Sequence, residues 1–135
     1  MEEKMSQRMT AACAAICALF GAALVPALAE TTTTPALKTM VEGIPDTEAN
    51  IVVFDVDPGW KTDHHIHPGH VFVYVLEGAL HLEVDGKEPV DYTAGEAFYE
   101  LPHVGMTGAN LSTSERAKFI VFQFGEAGQP IMVPQ

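Results

Sequence analysis

From residue 51 onward the sequence is built of short apolar runs cut apart by Gly, Pro and Asp, and no stripe of helical period interrupts them. Ile51-Val52-Val53-Phe54-Asp55-Val56 reads as a strand stopped by Asp57-Pro58-Gly59. Val71-Phe72-Val73-Tyr74-Val75-Leu76 reads as a second, too apolar on both parities for either face to meet water. Ala79–Val84 alternates, with Leu80, Leu82 and Val84 on one face, and Asp85-Gly86 after it signals a hairpin turn. Pro89–Tyr92, Ala97–Leu101 and Phe119–Phe124 complete the set. Closely spaced short strands without helices describe an all-β sandwich or small barrel, and 135 residues allow a single core of this kind. No internal repeat is visible.

The first thirty residues follow a different rule. Lys4 and Arg8 precede an uncharged apolar run through Val25, and Ala27-Leu28-Ala29 supplies an A-x-A cleavage pattern. The expectation is a signal peptide over 1–29, which would make the protein exported, periplasmic or extracellular, and free of the membrane once cleaved. A polar lead-in and N-terminal segment (30–47), a barrel (48–127) and a C-terminal tail (128–135) follow. Thr31–Pro35 reads as flexible, with a short segment over Leu37–Ile44. Both cysteines, Cys13 and Cys17, fall inside the leader, so the mature chain offers neither a disulfide nor a thiol nucleophile.

Net charge narrows the partners. The whole chain carries −11, and removal of Glu2, Glu3, Lys4 and Arg8 with the leader leaves that value unchanged. Binding to phosphate backbones or to anionic lipid relies on Lys and Arg, so nucleic acid and membrane surfaces are excluded as partners. There is no G-x-S-x-G and no phosphate-cradling glycine loop.

The chemistry concentrates between Gly59 and Gly78. Two histidines one residue apart on an extended chain project to the same side, so His65 and His67 can share one divalent ion as neutral imidazoles. Gly59, His65, His67 and Gly78, together with Val75-Leu76-Glu77-Gly78, resemble the first motif of the cupin superfamily, while Gly95 and Asn110 fit its second motif. The similarity runs from about 48 to 125 and is greatest to small single-domain exported cupins. It implies a jelly-roll-like β-barrel whose mouth often holds Fe, Mn, Ni, Cu or Zn. It also implies a small-molecule ligand or substrate at that mouth and, as in many cupins, a homodimer through outer strands.

Two ligand slots of the family are vacant. The carboxylate slot of the first motif falls on Val71, and the histidine slot of the second falls on Met106, a soft thioether. Glu100 can restore a two-His-one-carboxylate set suited to Fe(II) or Mn(II) if it faces inward with Phe98; the other reading leaves it solvated on a strand end. His103 can swing in as a third imidazole or remain an exposed loop residue. Met106 can pack in the core or join the histidines around Cu(I). His64 and His70 have the wrong parity, His81 shares the wet face with Glu83, and Asp63 could orient an imidazole from behind. The functional expectation is a metal-binding exported cupin, acting on a small organic molecule by oxygenase, isomerase or lyase chemistry. The alternatives are a non-catalytic ligand or metal-binding module with a degenerate site, and a purely structural or interaction barrel with His65 and His67 idle.

Overall fold

The alternation that gives each strand one buried face is realised in a computed structural model that describes residues 31–135. The leader and its cleavage site lie outside the described residues. Ten strands are formed among those residues: β1 (Thr32–Met40), β2 (Thr47–Val56), β3 (His65–Ile66), β4 (His70–Glu77), β5 (Ala79–Val84), β6 (Val90–Thr93), β7 (Ala97–Glu100), β8 (Met106–Ala109), β9 (Ala117–Glu126) and β10 (Val133–Pro134). They assemble into two antiparallel five-stranded sheets, ordered β1-β2-β9-β4-β7 and β10-β3-β8-β5-β6. This is the all-β sandwich the strand pattern implies, in the jelly-roll-like form that the cupin resemblance implies.

The inner parities face one another across the sandwich. Val52, Phe54 and Val56 of β2, Val71, Val73 and Val75 of β4, and Phe119 and Val121 of β9 are all buried. Leu80 and Leu82 of β5 and Met106 of β8 close the core from the other sheet. Phe54 stacks on Phe119 at 5.1 Å, and Trp60 leans on both rings.

Two expectations are corrected. The Thr-rich lead-in is an ordered edge strand, because β-branched threonines suit a pleated ladder and Pro35 needs no partner for a missing N–H at an edge. Its register against β2 shifts between Pro35 and Leu37. The second correction concerns β4, whose outer parity is exposed: Phe72, Tyr74 and Leu76 are 46%, 42% and 37% accessible. Nothing among the described residues covers that face.

Candidate functional site

His65-Ile66-His67 runs in extended form through β3 of the second sheet. β3 is held on one side by β8, with His65 opposite Met106, and on the other by β10, with Ile66 opposite Val133. The extended backbone sends both imidazoles inward, where they are buried, and leaves Ile66 between them on the other side. Pro68-Gly69 then turns the chain into β4. Gly69 must be glycine, since a Cβ there would lie 2.5 Å from the Phe124 carbonyl oxygen of β9.

Glu100 faces inward with Phe98, at the end of β7, and is buried. Its neighbour across the ladder is Val71, the vacant carboxylate slot, and Gln123 flanks Val71 from β9. A small side chain thus stands between two long polar ones. The Glu100 carboxylate oxygen lies 3.1 Å from His67 Nε2. The imidazole rings of His65 and His67 are 5.0 Å apart and perpendicular.

Backbone carbonyls set both rings. His65 donates Nδ1–H to the Asp63 oxygen at 2.9 Å, and His67 donates Nδ1–H to the Ile131 oxygen at 2.5 Å. A carbonyl accepts only, so each Nδ1 carries a proton and each Nε2 is the atom presented to the chamber. Burial lowers the His65 pKa below the ordinary imidazole value, against the opposing pull of the Asp63 carbonyl, so this ring is neutral with a free Nε2 lone pair. Burial pushes His67 the same way, but the hydrogen bond and charge of Glu100 outweigh it and hold the His67 pKa above that value.

The remaining candidates do not enter the chamber. Met106 is fully buried beside His65 and belongs to the core. His103 is exposed, at a positive φ of 61°, and reaches the site only through its backbone N–H, which donates to the His67 carbonyl at 2.8 Å. His70 stacks on Tyr99 outside the barrel, and His64 pairs with Asp85. His81 sits between Glu83 and Asp91 on the outer face of its sheet. Asp63 does orient an imidazole, with its backbone oxygen rather than its carboxylate.

Sequence reading missed Gln123, Ile131 and Met132. Gln123 is 3% exposed and donates Nε2–H to the Pro130 carbonyl at 2.8 Å. Ile131 and Met132 form one wall of the chamber. The one signal for Gln123 was a polar residue inside the otherwise apolar run Phe119–Phe124.

The chamber measures about 40 Å³ and is lined by His65, His67 and Glu100 above Phe54, Trp60 and Phe119. Among the described residues no three His, Cys, Asp or Glu side chains form a preformed ion-binding cluster. His67 and Glu100 contact one another, and His65 stands beside them. The donor set nonetheless suits a divalent first-row ion. Both Nδ1 atoms are bonded to carbonyls, as in ligating imidazoles, which leaves the His65 Nε2 open and the His67 Nε2 bonded to Glu100. Donor atoms 3.1 Å apart are also spaced like adjacent ligands of one ion bonded at about 2.1 Å.

Comparison with known proteins agrees with the fold. The sequence model of the family described as "Cupin domain" matches residues 52–122, more than half of the chain. The chain belongs to the cupin family. Solved structures similar to this cupin include an uncharacterized conserved protein with a double-stranded beta-helix domain from Klebsiella pneumoniae. It is 18% identical with a TM-score of 0.60, and the match covers 80% of this chain and 86% of that one. An RmlC-like cupin family protein from Methanocaldococcus jannaschii is 19% identical with a TM-score of 0.60, covering 79% and 85%. The DMSP lyase DddQ from Ruegeria pomeroyi is 16% identical with a TM-score of 0.61; the match covers 78% of this cupin and 52% of the lyase. At these identities the likeness is one of fold. No curated protein matches the chain.

Proposed function

We propose that this cupin binds a divalent first-row metal ion through His65, His67 and Glu100, and presents it to a small organic molecule at the barrel mouth. The observation that carries the reading is the pair of Nδ1–carbonyl bonds, which turn both Nε2 atoms into the chamber that holds the Glu100 carboxylate. When bound, such an ion supplies Lewis acidity toward an oxygen or nitrogen of the ligand. Phe54, Ile131 and Met132, which line the chamber, supply the apolar surface a ligand would meet beside these donors. The reading includes an exported protein, supported by the leader pattern ending at Ala29.

The test is elemental analysis of the exported protein, purified without a His tag and expected to begin at Glu30. A stoichiometric content of Fe, Mn, Ni, Cu or Zn is expected in the wild type and its loss in His65→Ala and in His67→Ala. Full metal content in both variants would reject these ligands.

A second reading is favoured by the direct His67–Glu100 contact and the missing three-residue cluster. Here the chain is a metal-free, non-catalytic module in which the buried pair recognises a polar group of the ligand. Ligand binding that persists at full affinity after exhaustive chelation distinguishes it from the first.

The outer face of the β1-β2-β9-β4-β7 sheet supports pairing with a second copy. Leu37, Ile51, Phe122, Phe72 and Tyr99 form one cross-strand row over all five strands, and Thr34, Val53, Ile120, Tyr74 and Ala97 form the next. Neither row contains a charge, which makes this face the one on which two copies of net charge −11 can approach. The following row carries Asp55, Lys118 and Glu77, so a two-fold arrangement can bring opposite charges together at the rim. Light scattering after size exclusion should give twice the chain mass for the wild type and the single mass for Phe72→Asp. A wild type that elutes as a monomer at micromolar concentration ends the proposal.

A further inference from the structure

Phe119–Phe124 of β9 is apolar except at Gln123, and a buried carboxamide costs free energy unless its polar atoms are bonded. Gln123 is 3% exposed. Its Nε2–H donates to the Pro130 carbonyl at 2.8 Å, and its Oε1 has no hydrogen-bond partner among the described residues. Pro130 is exposed, so water can serve its carbonyl once the amide is gone. For stability alone, an apolar side chain of the same length would serve as well at this position. What the amide adds is a tie to residue 130.

That tie leads to His67. The next carbonyl along the chain, that of Ile131, accepts the His67 Nδ1–H at 2.5 Å. Beyond it Val133 and Pro134 pair with Ile66 and His65, and the Gln135 N–H donates to the His64 carbonyl at 3.0 Å. Residues 130–135 are thus a strap, anchored to β3 at one end and, at the other, to Gln123 of β9 in the opposite sheet. Ile131 and Met132, within the strap, wall the chamber. The ladder adds a second relation. Gln123, Val71 and Glu100 stand in one buried cross-strand row over β9, β4 and β7, and Glu100 at its end meets His67 Nε2 at 3.1 Å. One row of one sheet therefore reaches both nitrogens of an imidazole carried by the other, directly at Nε2 and through the strap at Nδ1. His65 differs. Its Nδ1–H donates to the Asp63 carbonyl, two residues back along its own chain, so its aim does not pass through the strap.

We propose that Gln123 is a positioning residue for His67: by holding Pro130 it seats the strap, so that the Ile131 carbonyl fixes the ring's tautomer and turns Nε2 toward the ion site. A carbonyl bonded to Nδ1 decides which nitrogen is left to ligate, and partners of this kind govern how tightly the ligand holds its ion. The assignment rests on the metal reading above and names what aims one of its three ligands.

Gln123→Met keeps the length and removes the donor. In the metal-free protein, proton NMR should show slowly exchanging Nδ1–H signals of His65 and His67, each assigned by its loss in the matching alanine variant. In Gln123→Met the His67 signal should exchange with water roughly fivefold faster, as loss of one ordinary hydrogen bond gives, and the His65 signal should not change. Zn(II) affinity, read by competition with a chromophoric chelator, should fall by a similar factor while the melting temperature holds. Gln123→Asn, one methylene shorter, should behave as Gln123→Met does and replaces it if that variant does not fold. Unchanged His67 exchange in a folded variant overturns the proposal, as does the absence of a slow His67 signal in the wild type. Equal acceleration of both ring protons also overturns it, because that marks general loosening. A wild type that takes up no Zn(II) rejects the metal reading, and the ring protons then decide the positioning role by themselves.

Discussion

His67→Ala should lower the stability of the metal-free protein by about 3–5 kcal/mol, more than loss of an ordinary buried hydrogen bond. The reason is the partner it abandons. Glu100 is 7% exposed and lies 3.1 Å from His67 Nε2, whose pKa is raised by the hydrogen bond and charge of that carboxylate. Removing the imidazole leaves a carboxylate in an apolar chamber with no compensating charge. His67→Ala combined with Glu100→Leu should therefore recover most of the loss, since replacing a whole buried pair by apolar groups is far milder than breaking it. Urea unfolding of the two single variants and the double variant measures this, and a single variant no less stable than the double sinks the argument.

The pH dependence has a definite sign. The folded-state pKa of His67 is raised, so the stability it contributes is complete below the ordinary imidazole value near 6.5 and fades as pH rises through the raised value. The gap between wild type and His67→Ala should accordingly narrow on the alkaline side. His65 acts oppositely: its pKa is lowered by burial, so it withdraws stability as pH falls below the ordinary value.

The second large effect belongs to Gly78, in the link from β4 to β5. Its φ is +70°, and an added Cβ would collide with the backbone oxygen of Arg116 and lie 3.1 Å from Ala117 Cα. Both obstacles are main chain at the start of β9 and cannot rotate away. Gly78→Ala should destabilise the fold by roughly 3 kcal/mol or more, from steric clash and left-handed strain together. Gly43→Ala, at φ +83° but facing open space, isolates the strain alone and should cost about 1 kcal/mol. Thermal unfolding compares them, and equal losses would remove the backbone collision from the explanation.

Those two residues show what kind of information the sequence carries. Gly78 and His65-x-His67 are local: a turn that needs positive φ, and a parity that needs only an extended chain. The strands with clean alternation are legible for the same reason, and so is the shared face of Phe98 and Glu100. Whether that face points inward was not legible, because Tyr99 and Leu101 offered an equally apolar alternative. The structure resolves it by pairing Glu100 with Val71, whose side chain is fully buried. β3 and β10 have two residues each and exist only because each pairs with chain far away in sequence. Gln123 is of the same kind: it is buried between its ladder neighbours Asn50 and Val71, and no window around it contains either. The Thr-rich β1 was read by composition, whereas its order comes from the ladder with β2.

The bond from His67 to the Ile131 carbonyl spans 64 positions of sequence. The aim of a central imidazole is thus set by a short C-terminal stretch that joins its sheet through two residues of β10. Peeling that stretch back would release the ring from one of its two hydrogen bonds while the β1-β2-β9-β4-β7 sheet keeps its ladders. Loss of competence in this molecule can therefore precede unfolding, so a melting curve that records only β-structure would overestimate how long the centre remains armed.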